Sequence, residues 1–224
     1  MPTNFPTSSD NFTNPISNDS LNNPSHSLQH ANNNDAIEAI EASLLPNGVG
    51  YGGLVLITPT SATNGTVNPS GTVTIGTAVA NVTVSGVFSA TYNAYKLQIS
   101  GGVGSTAANC NLHLGAAGIT GYYFGATETI YTSGAISAAN GNNTTVWTCG
   151  NAAANGISLN CDIINPNLAT KSLINYQFSQ IDILGRAVVG SGILDNLTQH
   201  TAFTFTMGVG TITGGTIAVY GYRK

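Results

Sequence analysis

The sequence predicts a mainly β chain, in which an extended N-terminal arm and a short helix precede an antiparallel, jelly-roll-like β-sandwich. Three observations predict it. From Tyr51 onward, glycines punctuate short runs rich in β-branched residues. Several runs alternate strictly, as in Asn81-Val82-Thr83-Val84 and Phe203-Thr204-Phe205-Thr206-Met207, which is the period of a strand with one buried face. Asn-Gly pairs begin at 47, 64, 140 and 155, and such pairs favour tight hairpin turns.

Residues 1–27 form the arm. They are rich in Asn, Pro, Ser and Thr, and Pro2, Pro6, Pro15 and Pro24 favour an extended path. Alone, such a segment buries too little apolar area to offset its ordering entropy. Phe5, Phe12, Ile16 and Leu21 are spaced apolar anchors, suited to docking on a partner surface; a disordered tail is the alternative.

The helix is expected over 28–45, its pattern starting at Ser27. Ala31, Ala36, Ala39 and Ala42 are strong helix formers. Asp35, Glu38 and Glu41 favour the N-terminal side of the helix dipole, and Pro46 with Asn47-Gly48 supplies the stop. Ile37, Ile40 and Leu44 fall on one line. This oligomer seam is too short to associate strongly by itself, but it can form a short bundle beneath a larger oligomeric domain; a helix packed on its own domain or on a host protein is the alternative.

Residues 46–65 read as a linker with the first strand, and 66–224 as the sandwich. The predicted strands are Leu54–Thr58, Thr72–Ile75, Ala80–Val84, Tyr95–Ile99, Asn111–Leu114, Thr144–Thr148, Ile157–Ile164, Ile181–Leu184, Phe203–Met207 and Thr216–Tyr220. Many short strands with frequent turns specify a sandwich or jelly roll. No helix-length pattern interrupts them, which argues against a parallel α/β fold. No fixed period indicates a solenoid.

Charged residues make up 6% of the chain, against about 25% in an average soluble domain. Neutral Asn, Thr, Ser and Gly take their place. Such a surface repels copies of itself weakly, which hints at assembly. All five acids of residues 1–45 lack a nearby base, whereas the remainder carries four acids and five bases. No basic stripe for nucleic acid results. The apolar runs are far too short to span a bilayer. The opening MPTNFPTSSDNF has no basic or apolar leader region, so assembly in a cytoplasm is expected, with Cys110, Cys149 and Cys161 reduced.

The chemistry-bearing residues form weak patterns. Cys110 and His113 have metal-ligand spacing, but on a strand they face opposite sides, and buried small cysteines are the simpler reading. No G-x-S-x-G elbow occurs. Glycoside hydrolysis needs paired carboxylates, and the β region offers only Glu128, Asp162, Asp182 and Asp195. Asp182 and Asp195 read more simply as turn or ion-pair residues, with Arg186 as a candidate partner. Gly101-Gly102-Val103-Gly104-Ser105 lacks the lysine of a phosphate loop and reads as a flexible loop. No catalytic residue, metal ligand or cofactor is assigned, and the expectation is a non-enzymatic chain. Tyr122, Tyr123 and Phe124, flanked by Gly121 and Gly125, are the candidate receptor-contact residues, because aromatic side chains combine apolar area with a polar edge. An ordinary core or subunit-contact strand is the alternative. Trp147, the single Trp, reads as core.

Two parts of the chain resemble small bacteriophage virion proteins. His30-Ala-Asn-Asn-Asn-Asp-Ala-Ile-Glu-Ala-Ile-Glu-Ala42 resembles the start of many tail-fibre proteins, where an arm leads to a helix with an Ala-Ile-Glu repeat. Val87-Phe-Ser-Ala-Thr-Tyr-Asn-Ala-Tyr-Lys-Leu-Gln-Ile99 and Thr213-Gly-Gly-Thr-Ile-Ala-Val-Tyr-Gly-Tyr-Arg223 are similar to β-sandwich heads of phage fibres and appendages. The chain lacks the shaft of a long fibre. The resemblance implies a homotrimeric virion component, assembled in the host cytoplasm and attached through its arm to other tail or capsid proteins. Its expected role is host adsorption through multivalent contacts with a surface glycan or protein. The alternative is a capsid decoration protein, and a soluble carbohydrate-active enzyme is a third class.

Overall fold

The computed structural model describes residues 26–44, 53–115, 119–180 and 185–223. It separates into two units, 1–53 and 54–224. Within the first, helix α1 spans His26–Leu44. The helix forms where the alanines and the apolar spacing place it, but its electrostatics differ from expectation. Asp35 sits at its midpoint and Glu38 and Glu41 nearer its C-terminus, with no acid in the first turn and no base in the last, so Glu41, in the last turn, opposes the helix dipole.

The second unit is an antiparallel, β-sandwich-like fold with seventeen strands among the described residues. The first four are short: β1 (Leu54–Leu56), β2 (Ser61–Thr63), β3 (Gly65–Val67) and β4 (Val73–Ile75). Next come β5 (Asn81–Ser85), β6 (Ala94–Ser100), β7 (Val103–Gly104) and β8 (Ala108–Leu114). The middle of the chain forms β9 (Tyr122–Ile130), β10 (Ile136–Thr144), β11 (Trp147–Ala153) and β12 (Gly156–Ile164). The last are β13 (Ser172–Gln180), β14 (Arg186–Leu194), β15 (Ala202–Met207), β16 (Ile212–Thr213) and β17 (Thr216–Tyr222).

The first layer runs β10-β9-β14-β13-β12-β6-β17, with β1 and β4 on the far side of β17 and β3 beside β4. The second layer runs β11-β8-β15-β5-β2. Strand β12 joins them. Its first residues pair with β11, closing a hairpin at Asn155-Gly156, and its later residues pair with β13 and β6. A small pair, β7 with β16, lies outside both.

The core fills the space between layers. Every second residue of β12, namely Ile157, Leu159, Cys161 and Ile163, is buried. Tyr95, Leu97, Ile99 and Val219 join them from β6 and β17. Val82, Val84, Leu112, Phe203 and Phe205 face them from the second layer. Each large side chain so buried contributes about 1.5–3 kcal/mol. Trp147 and Tyr122 meet edge to face at 4.9 Å, a favoured aromatic geometry. The Tyr95 hydroxyl accepts from Ser89 N and donates to Ser89 O, each at 2.8 Å, so its polar tip is satisfied.

Several expectations need correction. The segment 46–65, read as a linker with the first strand, holds β1 and β2, where Leu54 pairs with Tyr222 and Ser61 with Ser85. Thr144–Thr148 is a corner between β10 and β11 rather than one strand, with Asn143 at φ 54°. Asn140-Gly141 lies inside β10, where Gly141 leaves room for the Phe124 ring, whereas Asn64-Gly65 and Asn155-Gly156 do turn the chain. Gly101-Gly102 turns β6 into β7, so Val103 and Gly104 of the expected flexible loop form a strand. The predicted strand Ile181–Leu184 and the turn at Asn47-Gly48 lie outside the described residues.

Candidate functional site

Backbone register determines which side chains share the outer face of the first layer. Lys96, Asp162, Asn175, Ser191, Gly125 and Asn140 form one row across β6, β12, β13, β14, β9 and β10. A second row carries Gln98, Asn160, Gln177, Val189, Thr127 and Ala138. These residues point away from the core because their neighbours in sequence, such as Ile163, Ile174, Tyr176 and Val188, point into it.

The rows line a depression of about 790 Å³. Two smaller depressions adjoin it on the same face. One, about 470 Å³, shares Asn175 and Ser191 and is flanked by Tyr123, Leu173 and Ile193. The other, about 300 Å³, shares Asn160, Gln177 and Val189 and reaches Ser158, Ser179 and Ala187. Together they make a groove that follows the strands. Along β13 it runs from Leu173 to Ser179, six residue steps, or about 20 Å at strand rise.

The groove is almost without free charge. Lys96 Nζ lies 3.9 Å from Asp162 Oδ1, and the Tyr222 hydroxyl donates to the same oxygen at 2.6 Å. Burial, followed by the hydrogen bond and charge of Asp162, pushes the Tyr222 phenol up to about 12, so it remains a donor at neutral pH. What remains on the surface is amide and hydroxyl, interleaved with Val189 and Leu173, both exposed.

The expected aromatic contact site is split by the strand period. Tyr122 is fully buried, and its hydroxyl accepts from Leu114 N at 2.8 Å. It is a core residue, which corrects its assignment as a receptor contact. Phe124 is half-buried and packs against the core, over Gly141. Only Tyr123 points outward, at one end of the groove. The residues missed in the sequence are Asn160, Asn175, Gln177 and Ser191. The alternation of Ile174, Tyr176 and Phe178 with Asn175, Gln177 and Ser179 carries the signal that places them on one exposed face.

The acids do not gather. Glu128 accepts from Arg186 at 2.7 Å and Asp195 pairs with Lys171 at 2.7 Å. Arg186 is therefore the partner of Glu128, not of Asp195. Asp182 lies outside the described residues. The three cysteines are buried. Burial raises all three thiols, Cys110 to about 12, which keeps them neutral. Cys110 Sγ sits 3.6 Å from Met207 Sδ. Among the described residues no three His, Cys, Asp or Glu side chains gather into a metal-binding group.

On α1, Ile37 and Ile40 are exposed, at 44% and 58%, while Glu41 is buried. The helix thus presents part of the expected seam outward. Leu44 ends the helix, and its side chain lies outside those described. The arm anchors Phe5, Phe12, Ile16 and Leu21 also lie outside the described residues. No helix among the described residues is long and apolar enough to cross a membrane.

Strand β10 is an edge of the first layer, and among the described residues it pairs with β9 alone. Its nine residues, ISAANGNNT, include no charged residue and no proline, and Ile136 is 73% exposed. No family model matches this chain, no curated protein matches it in sequence, and no solved structure matches its fold.

Proposed function

We propose that this chain is a non-enzymatic, homotrimeric phage virion protein of the tail-fibre or appendage type, attached through its N-terminal arm and contributing to host adsorption. The observation that carries the reading is the β10 edge. Single-chain proteins blunt an exposed strand edge with charge, proline or a covering element. A nine-residue edge with no charge and an exposed Ile136 is instead suited to being covered by a neighbouring copy. The exposed Ile37 and Ile40 supply a second self-association element. The order of arm, Ala-Ile-Glu helix and β-rich head agrees with the resemblance to tail-fibre proteins.

In this reading the sandwich is the head, and its outer face is the surface turned toward the host. Several copies in one particle convert weak single contacts into firm attachment. Labelling intact particles with an antibody against this chain, followed by electron microscopy, tests the assignment. Label at the tail is the expected result. Label spread over the head would replace it with capsid decoration, and particles without label would remove the virion reading. Light scattering of the purified full chain should give the mass of a trimer; a monomer would contradict the self-association inferred from the β10 edge.

A further inference from the structure

We infer that the outer groove of the first layer binds an uncharged, linear glycan laid along the strands. The inference names the ligand of the surface assigned above to adsorption, and it rests on that assignment. Four features of the groove carry it.

The first is hydrogen-bonding type. Asn140, Asn175 and Gln177 are exposed and each offer both a donor and an acceptor, and Thr127 and Ser191 do the same through one hydroxyl. A sugar hydroxyl is likewise donor and acceptor at once, so it pairs with such a surface in either sense. The second is charge. Lys96, the one cation lining the groove among the described residues, faces the Asp162 carboxylate at 3.9 Å, and Tyr222 donates to the same oxygen, so the groove carries no net positive charge for a sulfate, phosphate or uronate. A nucleic acid or acidic polymer would need unpaired Lys or Arg here.

The third is the alternation of polar and apolar patches. Val189 is 62% exposed between Gln177 and Thr127, and Leu173, Ile193 and Tyr123 border one end. A pyranose ring has C–H faces between its hydroxyls, and these patches match them. The fourth is shape. The three depressions join into a trough about 20 Å long, which fits a chain of sugars better than a single ring. An extended peptide is the poorer occupant. Peptides dock on strand edges through main-chain bonds, and here the strands beneath the groove are paired on both sides, with only β10 at an edge.

The test uses the purified full chain. Its binding to neutral hexasaccharides of glucan, mannan, galactan and N-acetylglucosamine is measured by calorimetry, with the matching monosaccharides and a heparin hexasaccharide as comparisons. At least one neutral hexasaccharide should bind more tightly than both its monosaccharide and heparin. Asn175→Ala combined with Gln177→Ala should weaken that binding by about tenfold or more, from the loss of two hydrogen-bonding groups. The melting temperature should be unchanged, because both side chains are exposed. Failure of every neutral hexasaccharide to bind, preference for heparin, or unchanged binding by the double variant would each overturn the inference. Tail labelling without glycan binding would reject the ligand class alone, and glycan binding without particle labelling would reject the virion reading alone.

Discussion

The two faces of the first layer are made by the same strands and obey opposite rules. Along β13, Ile174 and Tyr176 point inward and are buried, while Asn175 and Gln177 point outward and are exposed. On β14, Val188 is buried and Val189 is 62% exposed. The inner face is large, apolar and tightly fitted. The outer face is small, neutral and hydrogen-bonding. Stability therefore belongs to one set of residues and the inferred glycan contact to the other, separated by a single step in sequence.

The largest effect expected from breaking this division is in the core. Trp147→Ala removes the buried indole that meets Tyr122 and should cost about 3–5 kcal/mol, read by urea unfolding. A loss below about 1 kcal/mol would show that the indole is not a core element. Gly192→Ala should come next. A Cβ there would lie 2.6 Å from Tyr123 O and 2.7 Å from Trp147 Nε1. Overpacking of this kind costs about 1–3 kcal/mol, and unchanged thermal unfolding would contradict the close approach.

Acid should act next, through His113 on β8 and His200 just before β15. His113 and His200 are buried, and burial lowers both from the ordinary value of 6.5. The folded chain thus holds them neutral where the unfolded chain takes up protons. Their contribution is fully present above pH 6.5 and is lost as pH falls below that value through the folded pKa values. Melting temperatures measured across this range should decline toward acid, and His113→Gln should flatten the decline. An identical slope in wild type and variant would remove His113 as a cause. The smallest effect belongs to the outer face, where Asn175→Ala and Gln177→Ala should change stability by no more than about 0.5 kcal/mol. A larger loss would mean that the face is structural.

Strands with β-branched residues at strict alternation were legible in the sequence, as β5, β12, β15 and β17 show. The outer half of the first layer was not. Strand β10 is mostly Ala, Asn, Gly and Ser, and Gly and Ala interrupt the β-favouring residues of β9 and β14; Gly, Asn and Ala are depleted in strands. They are held by neighbours that sequence does not display. Gly190 and Gly192 read as loop punctuation, yet they sit within β14 where Tyr176 and Trp147 pack close. Asn140-Gly141 carries a hairpin signal, and tertiary pairing with Phe124 and Gly125 overrides it. The aromatic run 122–124 was found as a feature but not divided between faces, because its strand was not recognised. The groove could not be read directly, since its residues come from six strands that only the fold brings together.

The central claim is that the outer face of β6, β12, β13, β14, β9 and β10 is the working surface. Hydroxyl-radical footprinting of the full chain, alone and bound to host cell-surface polysaccharide, tests it most directly. Protection at Tyr123, Leu173 and Val189, with Val209 and Leu197 unprotected, is the predicted result. Protection confined to residues away from the groove, with Val189 and Tyr123 unchanged, would contradict it.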